Sequence, residues 1–341
     1  MSADTQANDA KKIGGDYHIV VRDESGLRLD RWFRARYPGL GHARLSKLLR
    51  QGQIRLDGAR VSGGVRLEAG QKIRVPPLPP GAITSKLPPQ KVSAADAAFL
   101  EGLLLHRDKS VLALNKPPGL AVQGGSGLRR HLDGMLGGLR LGREDSPRLT
   151  HRLDRDVSGV LVLGRDSRAA AHLCESFRER RVGKLYWALT LGVPAHPRGR
   201  IETSMEKTSN NGIEKMTLGK GKKARTDYVV VEAVGTRFAW IGFIPQSGRT
   251  HQLRVHAAAL GCPILGDGKY GGREARAAGE ETGLASGLHL HAARLRLPHP
   301  DGGMLDVVAP PPSHMEESWR ALGLDWLAGG GNEDSVWALE I

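Results

Sequence analysis

The sequence predicts an α+β fold in two parts: a small, strongly basic α/β unit, then a larger domain on a mixed, largely antiparallel sheet. Three observations predict it. Between about 98 and 325, strand-like apolar runs alternate with helical spacings, without the regular period of a parallel βαβ array. The cluster Pro76-Pro77-Leu78-Pro79-Pro80-Gly81, with Pro88-Pro89 after it, interrupts that patterning and favours an extended, semi-rigid spacer. At 341 residues the chain exceeds one average domain.

Residues 1–16 read as a tail. Met1 to Lys12 is polar and has no apolar core, so no secretory signal is expected. Residues 18–76 form the small unit, opening on the strand-like run Tyr17-His18-Ile19-Val20-Val21. Leu29, Trp32 and Phe33 recur at helical spacing. A second helix carries Leu45, Leu48 and Leu49 inward and ends near Gly52. Ile54-Arg55-Leu56 reads as a strand, Asp57-Gly58 as a turn and Gln71 to Val75 as another strand. Residues 77–97 are the linker, 98–325 the larger domain and 326–341 a C-terminal tail.

Charge narrows the partners. The chain has a net charge of +14. Residues 22–74 hold 13 Lys/Arg against 5 Asp/Glu, so more than half of that excess lies in the small unit. Arg44, Lys47 and Arg50 fall on the exposed face of its second helix and suit phosphate contacts. No apolar run approaches membrane-spanning length, so no membrane partner is expected. Cys174 and Cys262 are too few for a disulfide framework, and a reducing cytoplasm fits. The spacings of His151, His251, His256, His289 and His291 match no common zinc pattern, so no metal is expected and these histidines read as structural hydrogen-bonding residues.

Four segments of the larger domain carry the chemistry. Val111 to Gly119 is a strand ending in the turn Lys116-Pro117-Pro118-Gly119. Gln123-Gly124-Gly125-Ser126-Gly127 follows it, but lacks the Gly-Lys-Ser/Thr ending of a phosphate loop. His151-Arg152-Leu153-Asp154-Arg155-Asp156-Val157-Ser158-Gly159 is a polar loop running into the buried strand Val160 to Leu163. There Asp154 is the candidate reactive carboxylate, because neighbouring arginines favour its charged form. Lys184 to Leu189 is strand-like and contains Tyr186. Ser247 to Gly261 reads as a helix capped by Thr250 and ended by Gly261.

These residues resemble the RluA-type pseudouridine synthases, which isomerise uridine in RNA to its C-glycoside. The family's His-Arg-Leu-Asp-x-x-Thr-Ser-Gly loop stands at 151–159 and its Lys-Pro-x-Gly turn at 116–119. Its Tyr-x-Ala strand is Tyr186-Trp187-Ala188, and its Ala-x-Thr-x-Tyr strand is Ala224 to Tyr228. Its Gly-Arg-Thr-His-Gln helix signature is 248–256, and Gly261 to Asp267 matches its Gly-x-Pro-Ile-x-Gly-Asp segment. Leu290-His291-Ala292 and His299-Pro300 close the pattern. The front unit resembles the S4 RNA-binding module, through Leu29 to Phe33, Ala43 to Gly58 and Leu67 to Ile73. With that module in front, the pattern is most similar to the branch called large-subunit ribosomal RNA pseudouridine synthase C. Val157 departs from it, standing where the family has Thr and lacking the hydroxyl.

The resemblance implies the pseudouridine synthase catalytic fold, activity on 23S ribosomal RNA, no cofactor and a monomer. It implies Asp154 as the catalytic carboxylate, Arg254 as its ion-pair partner and Tyr186 as the ring stacked on the target base. Arg152 either enters the RNA stack vacated by a flipped uridine or contacts phosphate. Lys116 stays open between a structural and a catalytic role, and Asp156 is taken to secure the loop. Two other readings are a synthase acting on transfer RNA and a non-catalytic RNA-binding or ribosome-assembly protein.

Overall fold

A computed structural model describes residues 16–21, 24, 26–37, 39–78, 92–124, 130–210 and 213–326. The two tails, most of the proline-rich linker and residues 125–129 of the glycine-rich loop lie outside the described residues. The chain divides between Lys91 and Val92 into two compact units.

The first unit is built as its patterning dictates. Strands β1 (Asp16–Ile19), β2 (Arg55–Leu56), β3 (Ala59–Arg60) and β4 (Lys72–Val75) form an antiparallel sheet of order β1-β4-β2-β3. Asp57 and Gly58 both take positive φ, 49° and 79°, which closes the two-residue hairpin between β2 and β3. Helix α1 (Leu29–Arg36) buries Leu29, Trp32 and Phe33, and α2 (His42–Arg50) buries Leu45, Leu48 and Leu49, into one core with Ile54, Leu67 and Ile73. Spacing of three and four residues puts each set on one helical face. The opposite face of α2 leaves Arg44, Lys47 and Arg50 exposed.

The second unit opens with α3 (Ala94–Glu101), which begins inside the interval that the sequence marks as linker. Its sheet runs through β5 (Leu104–Arg107), β6 (Val111–Lys116), β7 (Arg148–Leu149), β8 (Ser158–Gly164), β9 (Gly183–Leu191), β10 (Arg198–Asn210), β11 (Ile213–Leu218), β12 (Lys222–Val234), β13 (Phe238–Pro245), β14 (Leu290–Pro298) and β15 (Met304–Val308). The order is β11-β10-β12-β13-β9-β14-β8-β6-β5, with β15 beside β14 and β7 beside β8. Among the described residues every pairing is antiparallel except β14 with β8, so the sheet is mixed and largely antiparallel.

Strand alternation divides the core between the two sheet faces. Leu112, Leu114, Leu161 and Leu163 enter one cluster, while Val111, Ala113, Val160 and Val162 enter another. All of β8 is buried. The short helix α4 (Leu132–Met135) caps the first cluster. Helix α5 (Ser167–Arg178) packs on β8, and its N-cap Asp166 accepts from Ala169 N at 2.8 Å. Helices α6 (Gln252–Ala259), α7 (Gly272–Thr282) and α8 (Ser313–Ala321) complete the unit. Trp319 of α8 joins Trp187 and Trp240 in a third cluster. Among the described residues no helix is long and apolar enough to cross a membrane.

Candidate active site

The loop between β7 and β8 is fastened from beneath. Leu153 and Val157 are buried in the main core, so the alternate residues Arg152 and Asp154 turn toward solvent. Val157 thus acts as an apolar anchor where the resemblance implied a hydroxyl. His151 Nε2 accepts from Val162 N at 2.9 Å, and its ring stacks on Phe177. Burial pushes His151 down to about 3, with nearby Lys184 adding to the effect, so the ring is a neutral acceptor.

At the loop's far end Gly159 has φ of +113°, and a Cβ there would lie 2.2 Å from the carbonyl oxygen of Ala292. Only glycine lets β14 come this close, and this is where β8 and β14 run parallel. Beside it, Ser158 and His291 Nδ1 are 2.9 Å apart, and His291 Nε2 donates to the Ala309 carbonyl at 3.0 Å.

Lys116 resolves toward a structural role. It is fully buried, and its Nζ donates to the carbonyls of Pro117, Leu120 and Arg155 at 2.8, 3.0 and 2.9 Å. Its three hydrogens tie the 117–120 turn to the Asp154 loop. Burial pushes its pKa down to about 8, with Asp156 and Asp154 opposing the shift. Lys116→Met keeps length and bulk but takes the Nζ donor from three carbonyls, one buried and two part-buried. It is expected to cost about 3 kcal/mol, at about 1 per carbonyl. Urea unfolding of the variant, with the slope checked for change, measures it.

The loop forms one wall of a cavity of about 560 Å³. Tyr186 of β9 forms another wall, half-buried, its hydroxyl pKa raised by burial and then by Asp154. Arg152, Arg178, Arg180, Lys184, Arg249 and Arg254 also line it, and among the described residues Asp154 is the only carboxylate in its wall. Arg178 is neutralised by Glu175 at 2.6 Å. Lys184 meets no carboxylate among the described residues, and burial, with Arg180 nearby, lowers it to about 8. The cavity is therefore positive around one negative group, an arrangement that attracts a polyanion.

The third wall is the start of α6, and here the structure corrects two expectations. Thr250 does not cap the helix. The residue before α6 is His251, in the left-handed region at φ 54° with no side-chain cap. Gln252 organises the entry instead. Its carbonyl oxygen accepts from Ser247 Oγ at 2.8 Å and Arg249 N at 3.0 Å, and its amide donates to the Arg225 carbonyl and Thr226. The second correction concerns Arg254. Its guanidinium forks onto Asp267, at 2.6 and 2.8 Å, rather than onto Asp154. Asp267 is buried and also accepts from the backbone N–H of Lys269 and Tyr270, each at 3.1 Å. These donors arrange the carboxylate to receive a planar cation.

Asp154 and Tyr186 thus meet in one cavity with Arg152 and Arg254. Arg44, Lys47 and Arg50 belong to the other unit. Sequence reasoning misses two members: Tyr270, whose hydroxyl sits 2.6 Å from His251 Nδ1, and Asp267 as an ion-pair partner. Asp267 left a signal, since it is a carboxylate closing the apolar run Pro263-Ile264-Leu265 and needs a cation if that run is buried. His251 reads as structural in the sequence, yet its Nε2 is 3.9 Å from Asp154 Oδ2. Among the described residues no three His, Cys, Asp or Glu side chains gather as metal ligands.

Residues 110–259 match the RNA pseudouridylate synthase family. Over most of its length the chain is similar to ribosomal large subunit pseudouridine synthase C of Vibrio cholerae, at 34% identity over 88% of this chain and 94% of the relative. It is 32% identical to mitochondrial RNA pseudouridine synthase 4 of Arabidopsis thaliana, over 90% of this chain and 82% of the relative. Among solved structures, human RNA pseudouridylate synthase domain containing 4 superposes with a TM-score of 0.56 at 30% identity, over 68% of this chain and 98% of that one.

Proposed function

Because this chain belongs to the RNA pseudouridylate synthase family, and so is an isomerase of uridine in RNA, we propose that it acts on large-subunit 23S ribosomal RNA with Asp154 as the catalytic carboxylate. The single observation that carries the assignment is Asp154 as the lone carboxylate, among the described residues, of a cation-lined cavity that also holds Tyr186. In the reaction the N1–C1′ bond of uridine breaks, uracil turns, C5 bonds to C1′, the C5 hydrogen leaves as a proton, and N1 takes up a proton. Atoms and electrons balance within the substrate, so no cofactor is called for. Asp154 attacks C1′ or assists removal of the neighbouring 2′ proton, stabilising positive character on the sugar. Tyr186 offers a flat face to the extruded base. Arg152 fills the vacated stack or holds a flanking phosphate.

Support for ribosomal RNA comes from two sides. The Vibrio cholerae relative is named for the ribosomal large subunit, and similarity to it spans both units. The first unit, proposed as an S4-type module, exposes Arg44, Lys47 and Arg50 on one helix face. A second cavity, which shares Arg180, Gln246 and Ser247 with the first, adds Lys223, and also Arg225 and Glu202, which stand 3.7 Å apart; its net positive lining suits the continuing sugar–phosphate strand.

The test is tritium release from 5-tritiated uridine in transcripts of large-subunit ribosomal RNA and of transfer RNA. Release from the ribosomal transcript alone is expected, and release from transfer RNA alone would transfer the assignment. The first unit has its own test. Replacing Arg44, Lys47 and Arg50 together by alanine is expected to weaken binding of the ribosomal transcript. It should also reduce the slope of log affinity against log salt by about 2–3, at about 0.7–0.9 for each phosphate that is no longer neutralised. An unchanged slope would remove α2 from the interface.

A further inference from the structure

The first unit carries a cationic surface that the exposed face of α2 does not account for. In its four-stranded sheet Leu56, Ile73 and Val75 enter the core, so their strand neighbours Arg55, Lys72 and Arg74 turn outward. The register then lines up the outward side chains. Tyr17 stands opposite Arg74, Arg74 opposite Arg55, and Arg55 opposite Arg60. One row of a tyrosine and three arginines crosses β1, β4, β2 and β3, a width of about 14 Å at about 4.8 Å between neighbouring strands. Ile19 and Lys72 face each other in the next row. Tyr17 is 46% exposed and Ile19 64%.

This row works against the fold and has no counter-charge within it. Like charges directly opposite one another destabilise a sheet. Elsewhere in the unit exposed arginines are answered, Arg28 by Asp30 at 2.6 Å and Arg36 by Glu24 at 2.9 Å. Arg55, Arg60, Lys72 and Arg74 meet no carboxylate among the described residues. Arg55 uses two of its five N–H donors on the carbonyls of Gly52 and Gly58, at 3.2 and 2.9 Å, which fixes its guanidinium between two turns. The Nε of Arg74 is buried without a hydrogen-bond partner. Arg60 lies over Gly52, where a Cβ would come within 2.6 Å of its Nε. It thereby extends the row to the foot of α2, two residues from Arg50. Lys72 Nζ covers one face of the Tyr17 ring, 4.7 Å from its centre, and among the described residues no other ring or cation stacks there.

Unpaired guanidinium groups beside an exposed aromatic ring match the needs of a single-stranded nucleic acid. The cations hold phosphates, and the ring takes a base on its flat face whatever that base is. A duplex keeps its bases stacked inside and offers the ring nothing. The chain belongs to a family that acts on RNA, which makes RNA, rather than an acidic protein, the polyanion that these residues meet. We propose that the outer face of this sheet binds a single-stranded segment of the RNA substrate, with Arg55, Arg60 and Arg74 on its phosphates and an unpaired base stacked on the open face of Tyr17. The proposal goes beyond the contact by α2, adding a second surface continuous with it. It rests on the ribosomal RNA reading only for which RNA supplies the strand.

Three measurements on the full chain test it. Ultraviolet cross-linking of the wild type to short oligouridine, read by mass spectrometry, is expected to place a nucleotide on Tyr17. A cross-link map that leaves residues 16–21 empty would overturn the proposal. The second measurement is binding of that oligouridine, and of its duplex with oligoadenine, across a salt series. Tyr17→Ala is expected to weaken single-strand binding about tenfold without changing the salt slope or duplex binding, whereas Tyr17→Phe keeps the ring and binds as wild type. Arg60→Gln combined with Arg74→Gln leaves Arg55 on its two turns. It is expected to reduce the slope of log affinity against log salt by about 1.4, at about 0.7 for each single-strand phosphate. Its thermal midpoint should hold or rise, because two of three facing like charges are gone. Wild-type affinity in Tyr17→Ala, or an unchanged slope in the double variant, overturns the proposal, and occupation of the face by an acidic protein would give both. The third measurement is tritium release from the ribosomal transcript, where Tyr17→Ala and the double variant are expected to raise KM and keep kcat. The two readings fail separately. Weakened transcript binding in the Arg44, Lys47 and Arg50 variant alone would overturn the sheet surface and leave the ribosomal RNA reading standing. Tritium release from transfer RNA alone, with the oligouridine results as expected, would do the reverse.

Discussion

Asp154→Asn is expected to lower tritium release from uridine-labelled ribosomal RNA by at least about 1,000-fold, or about 4 kcal/mol of transition-state stabilisation. Asparagine matches the carboxylate in shape but has neither its charge nor its nucleophilicity. It can neither bond to C1′ nor carry a proton from the sugar. The fold has little reason to notice. The Asp154 side chain is partly exposed in the cavity wall and makes no hydrogen bond among the described residues, whereas Leu153 and Val157 anchor the loop. Thermal midpoint and urea midpoint should therefore stay near wild type. RNA affinity should hold or tighten, because the substitution removes the one negative group from a wall that carries six cations among the described residues. This split, with chemistry abolished while fold and binding are kept, is what a catalytic carboxylate predicts. A merely structural Asp154 would instead lose stability, and release within tenfold of wild type would end the assignment.

Local patterning is enough for much of the fold. Leu29, Trp32 and Phe33, then Leu45, Leu48 and Leu49, mark α1 and α2 because a helix places residues three and four apart on one face. The short, continuous apolar runs behind β6 and β8 are legible as strands buried on both faces. What patterning misses involves partners distant in sequence. The parallel pairing of β8 with β14 joins residues more than 130 apart, and it depends on Gly159 admitting Ala292. A Thr250 cap fits by residue type, but the His251 bond to Tyr270 and the Gln252 bonds to Arg249, Ser247 and β12 fix a different entry to α6. Asp154 is legible from its motif. Its surroundings are not, because the charge on Arg254 is satisfied 13 residues downstream, by a carboxylate that two backbone N–H groups also hold.

Asp267→Asn is expected to destabilise the second unit by about 3–5 kcal/mol, since it leaves the Arg254 charge in place and removes its counter-charge. Burial works against the Arg254 cation, and the hydrogen bonds and charge of Asp267 more than offset it. An asparagine oxygen could still accept from Lys269 N and Tyr270 N, but its amide would present N–H to a guanidinium that only donates. The site should suffer along with the fold. Tyr270 is held by Asp267 and by the Arg254 face, so loosening the pair releases the tyrosine that orients His251. Arg254→Met combined with Asp267→Asn removes the stranded charge as well as the carboxylate. If the cost is an unpaired buried cation, the double variant is more stable than Asp267→Asn alone, although it carries one substitution more. If the cost is only weakened packing, the two penalties add. Urea unfolding of the two single variants and the double separates these outcomes, and a double-variant cost equal to the sum of the two single costs would remove the ion pair from the account of how this wall is held.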